Sequence, residues 1–196
     1  MLINLDEIDS RFSKKKKQPV VLADNNTSNQ YFIIKAKEKL EPYFGSLVQN
    51  TTYHFATAGR WSQFELMHFI LSQTGPAKIY FSTWKINEFV ASNLFHLVNS
   101  GIITEMYAIL EKRIPVTSPK AKDLVEANCV KIHICDNHSK VIVIENEDWN
   151  VVINGSANMT INPRIESGIV STIKEVANFH KSWILNEIIN HGTFKN

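Results

Sequence analysis

Residues 138–166 contain the side chains best suited to chemistry on a phosphate ester. His138 and Lys140 stand two apart at the start of the β-rich run 141–144, so a strand would direct both side chains to one face. A second β-rich run, 151–153, follows a polar turn and leads into Gly-Ser-Ala-Asn at 155–158. A hairpin of these two strands would bring together an imidazole, an ammonium, a hydroxyl and an amide. Histidine can attack phosphorus or protonate a leaving oxygen, while the other three groups bind the non-bridging oxygens.

The order of these residues resembles the signature of the phospholipase D superfamily, which is His-x-Lys, four residues, an acid, then Gly-Ser-x-Asn. The family usually has aspartate where this chain has glutamate, and about six residues rather than nine before the Gly-Ser, and both differences fall around the hairpin tip. Glu166 follows at roughly the distance where such enzymes carry a carboxylate that orients the catalytic histidine. The six positions that match the signature are His138, Lys140, Glu145, Gly155, Ser156 and Asn158.

The resemblance implies a hydrolase that works through a phosphohistidine intermediate and needs no metal or other cofactor. Its chemistry requires two histidines, and family members with one motif per chain typically pair their motifs across a two-fold dimer, so a homodimer is expected. In this interpretation His138 attacks phosphorus, and the same residue of the second subunit donates the proton. The remaining expected roles are phosphoryl binding by Lys140, Ser156 and Asn158, control of the histidine tautomer by Glu166, and a structural part for Glu145 and Gly155.

The substrate predicted from the resemblance is nucleic acid, with DNA favoured over RNA, because short single-motif members resemble the small bacterial endonucleases of the family. The run Lys14, Lys15, Lys16, Lys17 would then contact the phosphate backbone, although four lysines are more often a solvated loop. Arg60 follows a predicted strand and could also meet a phosphate, while Ser62 caps the next helix. Two alternatives stay open: an inactive or auxiliary nucleic-acid-binding module of a restriction or mobile-element system, and a phospholipid or small phosphodiester hydrolase.

Composition sets weaker bounds on the protein. The chain has 196 residues and a net charge of +2, which argues neither for nor against nucleic acid. Cys129 and Cys135 are expected to be ordinary thiols of a reducing cytoplasm, and no apolar run or amino-terminal pattern predicts a membrane span or a secretory signal. His133, Cys135 and His138 include zinc-type ligands, but no fourth ligand is evident, so no metal site is predicted.

Elements that position the motif follow from hydrophobic periodicity. Strands are predicted at 53–57, 77–84, 105–110, 130–135, 141–144, 151–153 and 169–172, and helices at 30–40, 64–73, 87–99, 119–127 and 175–191. This alternation predicts an α/β fold with a mixed, largely parallel central sheet and helices on both faces. The α/β sandwich of the phospholipase D family agrees. Residues 31–196 are predicted to form one phospholipase D-like domain after an N-terminal arm, 1–30, that carries the basic run.

Overall fold

A mixed sheet with helices on both faces forms the centre of the protein. The computed structural model describes residues 21–24, 31–32, 40–57, 59, 61–191 and 193–194. Within these residues the strands are β1 (Val21–Asp24), β2 (Tyr31–Phe32), β3 (Thr52–Thr57), β4 (Ala77–Thr83), β5 (Ile103–Glu111), β6 (Lys131–Cys135), β7 (Val141–Glu145), β8 (Asn150–Gly155), β9 (Glu166–Ser171) and β10 (Thr193–Phe194). The helices are α1 (Glu41–Phe44), α2 (Gln63–Thr74), α3 (Glu88–Asn99), α4 (Ile114–Thr117), α5 (Pro119–Asn128) and α6 (Lys174–His191).

The strand order is β10-β6-β5-β4-β7-β8-β9-β3-β1-β2. β4 is parallel to β5, and β5 to β6, whereas the other neighbouring strands pair antiparallel. The predicted mixed α/β fold is confirmed, but the sheet contains less parallel pairing than the sequence predicts. β7, β8 and β9 follow one another through loops instead of crossover helices, and such short connections produce antiparallel neighbours.

Alternation along β7 explains how both faces of the sheet are covered. Ile142 and Ile144 face a larger core, whereas Val141 and Val143 face a smaller one. The helical residues in these cores are, on the larger side, Leu66, Ile70, Leu94, Ala121 and Val125 and, on the smaller side, Ala177, Ile184 and Ile188. The unbroken apolar run of β7 therefore reflects burial on both sides, as expected for a central strand.

Helix α2 begins where the sequence predicts a cap. The Ser62 side chain accepts a hydrogen bond from the Glu65 backbone N–H, and the Glu65 carboxylate accepts one from the Ser62 N–H at 2.7 Å. This capping box satisfies two donors that an uncapped helix leaves unpaired. It also fixes the amino end of α2, which lies against the motif.

The amino-terminal part of the chain differs from prediction at residues 31–32. Tyr31–Phe32 is a strand paired with β1, not the start of a helix, and the rest of the predicted helix up to residue 39 lies outside the described residues. Pro42 lies in the first turn of α1, where its missing N–H costs nothing. β1 lies in the predicted N-terminal arm and pairs with β3, while the domain boundary at residue 30 stays a prediction.

Two aromatic side chains on helices are exposed. Phe89 in α3 is 70% exposed and Phe179 in α6 is 66% exposed, whereas Trp183 packs against the smaller core. A periodic stripe wider than the surface that covers it leaves its outer members in solvent. Among the described helices, none combines the length and apolarity needed to cross a bilayer.

Candidate functional site

The residues of the motif meet at one edge of the sheet. β7 runs antiparallel to β4 and β8, and the pairs Ser82–Val141 and Val141–Asn154 set this register. The residues just before β7 therefore lie beside the carboxyl ends of both neighbours. β9 begins at the same edge with Glu166, which pairs with Thr57 at the end of β3. The predicted hairpin forms, and it brings its two halves together with the start of β9.

Lys140 is a buried cation at this edge, with 7% of its surface exposed. Its ammonium donates to the backbone oxygen of His138 at 2.6 Å, lies 3.3 Å from the Nδ1 atom of His138, and stands 5.7 Å from the centre of the Trp84 ring. Desolvation lowers the pKa of Lys140, an effect that the nearby negative charge of Glu166 partly offsets. None of the ion pairs among the described residues includes Lys140. The site therefore holds a positive charge with no hydrogen-bonded counterion.

His138 is exposed beside this cation and packs against an aromatic ring. The ring centroids of His138 and Trp84 are 5.4 Å apart, and the guanidinium of Arg113 lies 5.3 Å from the centre of the same Trp84 ring. Glu111, which is buried, holds Arg113 through an Nε–Oε1 contact of 3.0 Å. The Trp84 ring is thus bordered by the His138 imidazole, the Arg113 guanidinium and the Lys140 ammonium.

The loop that carries His138 is tied to β4 by Asn137 and by a hydrogen bond between the Ser82 and Ser139 hydroxyls. Asn137 accepts a hydrogen bond from the Ser139 backbone N–H at 2.9 Å, and its Nδ2 donates to the Thr83 backbone oxygen at 3.1 Å. An asparagine that bonds the backbone two residues on is typical of a tight Asx turn. This turn sets the direction in which the chain enters β7.

Gln63 at the start of α2 joins the two halves of the motif. Its Nε2 donates to the Lys140 backbone oxygen at 2.9 Å, and its backbone N–H donates to the Asn158 backbone oxygen at 3.0 Å. The same Lys140 oxygen also accepts from the Gly155 N–H at 3.3 Å. Gln63 is fully buried, so these bonds are shielded from water. It holds the lysine and the asparagine at a constant separation.

Three buried polar atoms near this contact have no hydrogen-bond partner among the described residues. They are the Trp61 Nε1, the Gln63 Oε1 and the Asn158 Oδ1. A buried polar group left unpaired costs about 1–3 kcal/mol, so such atoms are uncommon in native proteins. The unpaired atoms of Gln63 and Asn158, two residues that hold the halves of the motif together, favour a site that binds a polar ligand.

Glu166 has a different set of contacts from the one predicted. One carboxylate oxygen accepts a hydrogen bond from the Ser156 hydroxyl, and the other accepts from the Asn162 Nδ2 at 3.2 Å. The predicted hydrogen bond from His138 to this carboxylate is not among the contacts of the described residues, because the loop after β8 folds back and places Ser156 and Asn162 against Glu166. The carboxylate therefore secures the loop that follows Gly155, and its electrostatic effect reaches Lys140.

The hairpin and β9 approach each other closely at two glycines. Gly155 pairs with Gly168, and a Cβ added to Gly168 would lie 2.4 Å from the Asn154 backbone oxygen and 2.7 Å from the Phe55 ring. A Cβ added to Gly155 would lie 2.6 Å from the Ser167 backbone oxygen. Only glycine fits at these two paired positions. The close approach of β8 and β9 that the glycines allow sets the distance between Ser156 and β9.

Glu145, the acid of the motif, lies at the opposite end of β7. Its carboxylate accepts hydrogen bonds from the Tyr80 hydroxyl at 3.1 Å and from the Lys181 ammonium at 2.5 Å. These contacts join β4, β7 and α6 on the smaller-core side. With burial and the Glu145 charge as the main causes, the pKa of Tyr80 is far above its ordinary value. A structural part for Glu145 is consistent with this position, far from His138.

The predicted phosphate-backbone contacts lie outside the described residues. These are Lys14, Lys15, Lys16, Lys17 and Arg60. Gly59, the described neighbour of Arg60, has φ +73° and lies so close to the loop 162–164 that a Cβ would approach the Asn162 backbone oxygen to 2.3 Å. Gly59 therefore lies directly against the loop that Glu166 secures.

Sequence reasoning missed three residues of this edge: Gln63, Trp84 and Arg113. Trp84 ends a predicted strand and Arg113 follows one, so their place at a strand end was a usable signal. Gln63 offered none, because the backbone oxygen that it binds lies 77 residues away. Within the described residues, the cluster of three possible metal ligands lies on β6 and α6, and it includes neither His138 nor Lys140.

Comparison with known proteins shows the fold. No protein-family model matches the sequence, and no curated protein matches it. Among solved structures, the chain is similar to Nuc from Salmonella typhimurium, described as a phospholipase D family member, with a TM-score of 0.51 and 14% identity over 68% of this chain and 93% of that chain. It is also similar to NucT from Helicobacter pylori, with a TM-score of 0.54 and 13% identity over 74% of this chain and 99% of that chain.

Proposed function

We propose, from the premise that this chain has the phospholipase D superfamily fold, that it is a metal-independent phosphodiesterase whose site is the edge built around His138. The observation that carries the proposal is the buried ammonium of Lys140, which lacks a paired carboxylate and touches the His138 ring. A buried charge without a counterion is costly, so such a group points to a functional site. A phosphoryl group would supply the missing negative charge.

The proposed mechanism gives each residue of the motif a role that its position supports. The Nε2 of His138 attacks phosphorus, a P–N bond forms, and the P–O bond to the leaving alkoxide breaks. His138 of the partner subunit donates a proton to the alkoxide, then takes one from the water that hydrolyses the phosphohistidine. Attack needs a lone pair on Nε2, with the proton on Nδ1. The Lys140 ammonium therefore turns from Nδ1 to a phosphoryl oxygen when substrate binds, and Asn158 and Ser156 bind the other oxygens.

The second subunit is proposed to sit over the same edge. Apolar side chains are exposed there in α4, which follows β5, and on the loop after β8: Val116 is 83% exposed, Ile161 60% and Ile165 56%. A two-fold contact through these residues would bury them and set the two His138 rings face to face. Exposed apolar groups around a polar pocket are typical of an interface.

Nucleic acid is the proposed substrate class, with DNA favoured. The Trp84 ring beside His138 offers a surface on which a base can stack, and Arg113 and Lys140 border it with positive charge. Stacking of a base on an aromatic side chain contributes about 1–3 kcal/mol and tolerates any sequence. The proposal is therefore a nuclease with little sequence preference, in which Arg60 and Lys14–Lys17 contact the backbone.

The proposal is tested by hydrolysis in excess chelator together with the mass in solution. We expect initial-rate hydrolysis of bis-nitrophenyl phosphate and of plasmid and single-stranded DNA, at a mass about twice the 22.4 kDa of the chain. Hydrolysis of lipid vesicles with none of nucleic acid would instead support the lipid hydrolase. Binding of DNA without hydrolysis of any of these substrates would support the auxiliary module and contradict the enzyme.

Gln63 is proposed as a positioning residue, and a substitution separates this role from stability. Gln63→Leu should lower kcat about tenfold with little change in KM, and reduce the free energy of unfolding by about 1–3 kcal/mol, because the Lys140 backbone oxygen loses a buried donor. Steady-state kinetics and urea unfolding measure the two effects.

The matched control is Gln73→Leu at the other end of α2. Gln73 also makes two bonds to backbone, accepting from the Leu47 N–H at 2.8 Å and donating to the Gly45 oxygen at 2.9 Å. This variant should lose stability and keep kcat. Equal losses of kcat in both variants would show that Gln63 acts only through stability.

A further inference from the structure

A cluster of metal-ligating side chains lies on the smaller-core side of the sheet, outside the catalytic residues. His133 and Cys135 are two residues apart on β6, so their side chains lie on the same face of the strand. Helix α6 places Glu187 over them. One ligand atom from each of the three lies within 4.8 Å of the others, and the His133 Nε2 is 3.7 Å from the Glu187 Oε1. All three side chains are half-buried, so a bound ion would be partly shielded from water.

His191 supplies a fourth group at the same place. It follows Glu187 by four residues, so both project from one face of α6, and its ring centroid lies 5.7 Å from that of His133. β10 begins two residues later and pairs with β6 through Thr193 and Ile132, which holds the end of the helix against this strand. The last turn of α6 also presents the negative end of the helix dipole, which favours a cation.

We propose that His133, Cys135, Glu187 and His191 bind a divalent cation of the zinc type. Two imidazoles, a thiolate and a carboxylate are ligands that zinc takes in a tetrahedral site. Zinc bonds of about 2.0–2.3 Å place neighbouring ligand atoms roughly 3.4–3.7 Å apart, so the His133–Glu187 distance already fits and the Cys135 contacts need to close by about 1 Å. Small changes of side-chain torsion cover that distance. The His191 ring, whose centroid lies 5.7 Å from that of His133, would turn toward these three ligands.

The surroundings of Cys135 favour a cation over an ordinary thiol. The carboxylates of Glu187, Asp136 and Glu111 surround the Cys135 thiol closely enough to act on it electrostatically. The same three charges attract a divalent ion. On binding, the thiol loses its proton to the solvent and the metal–sulfur bond forms, so uptake of metal releases a proton. No change of oxidation state is involved.

Such a site would join the C-terminal helix to β6. The sequence predicted no metal because His133 and Cys135 had no evident fourth ligand, and in the fold Glu187 and His191 take the place that His138 was considered for. Neither His138 nor Lys140 belongs to this cluster. The metal is therefore a structural ion, and the proposal is independent of the hydrolytic function.

Titration of the metal-free full chain with Co²⁺ tests the site, because a thiolate–cobalt bond gives a charge-transfer absorption. We expect this absorption to saturate at one ion per chain, to disappear when Zn²⁺ is added, and to be absent in Cys135→Ser. Cys129→Ala, which removes the other thiol, should keep it. Zn²⁺ at a hundredfold excess over its dissociation constant should raise Tm by about 5–10 °C.

A second variant, Glu187→Gln, allows the proposal to be tested even if Cys135→Ser folds poorly. Glu187 is 46% exposed, so Glu187→Gln should fold normally and weaken Co²⁺ binding by roughly tenfold or more. No absorption with Co²⁺, an absorption that survives in Cys135→Ser, or unchanged affinity in Glu187→Gln would overturn the proposal. Loss of hydrolysis has no bearing on it, since the absorption reports the ligands and not turnover.

Discussion

His138→Ala is expected to lower kcat by about 10⁴-fold or more while leaving the fold intact. In the proposed mechanism the imidazole attacks phosphorus in one subunit and donates the proton in the other, so one substitution removes both functions from a symmetric site. His138 is exposed and lies in a loop, so its removal leaves no cavity in either core. Hydrolysis of bis-nitrophenyl phosphate gives kcat, and urea unfolding gives the stability.

Mixed dimers show whether the two histidines belong to one site. When wild-type and His138→Ala subunits exchange freely in equal amounts, a shared site requires both subunits to be wild type, so activity should fall to about one quarter of the all-wild-type value. If each subunit had an independent site, the mixture would keep about one half of the all-wild-type activity. His96→Ala, which removes an exposed histidine near the end of α3, is the matched control and should keep full activity. Near-normal turnover of His138→Ala alone would rule out the phosphohistidine mechanism.

Lys140→Met is expected to change activity and stability in opposite directions. Methionine fills a similar volume without the charge, so kcat should fall by about 10²–10³-fold, as for the loss of one group that stabilises the transition state. The free energy of unfolding should stay equal or rise, because a buried ammonium without a paired carboxylate is replaced by an apolar group. Few substitutions in a functional core have this signature.

The pH dependence of the same variant follows from the lowered pKa of Lys140. Because folding lowers this pKa, the unfolded chain binds the proton more tightly than the folded chain. The buried ammonium lowers the free energy of unfolding by its full amount at pH values below the pKa of Lys140 in the folded protein. This loss shrinks as pH rises from that pKa toward the pKa of lysine in the unfolded chain, about 10.4. The gain of Lys140→Met over wild type should therefore be largest at neutral pH and shrink toward pH 10 in urea unfolding.

Anion binding completes the test of Lys140. Inorganic phosphate at a tenfold excess over its dissociation constant should raise the wild-type Tm by about 3–5 °C and leave Lys140→Met unchanged. Lys174→Met, which removes an exposed lysine at the start of α6, should respond to phosphate as wild type does. An equal Tm rise in wild type and Lys140→Met would show that the anion binds elsewhere.

The sequence alone predicted the parts of this protein that depend on neighbouring residues. The hairpin of β7 and β8 forms with the predicted pairing because apolar runs on both sides of a polar turn leave few other registers. The cap at Ser62 and most element bounds follow from the same local preferences. The motif predicted the fold and the candidate site because its six positions span only 21 residues, 138–158, within one hairpin.

Tertiary structure decided which surfaces face each other, and no local pattern contains that information. The antiparallel pairing of β7 with β4 places Glu145 at the end of the sheet opposite His138, next to Lys181. Glu166 binds Ser156 because the loop between them folds back.

Contacts between segments that are distant along the chain could not be predicted from the sequence for the same reason. Gln63 bonds Lys140, and Glu187 lies over His133, across separations of 77 and 54 residues. Periodicity indicates that a face is apolar or polar, but only the packing of the whole chain determines what covers it. Burial, and with it the unpaired charge at Lys140, is a property of that packing.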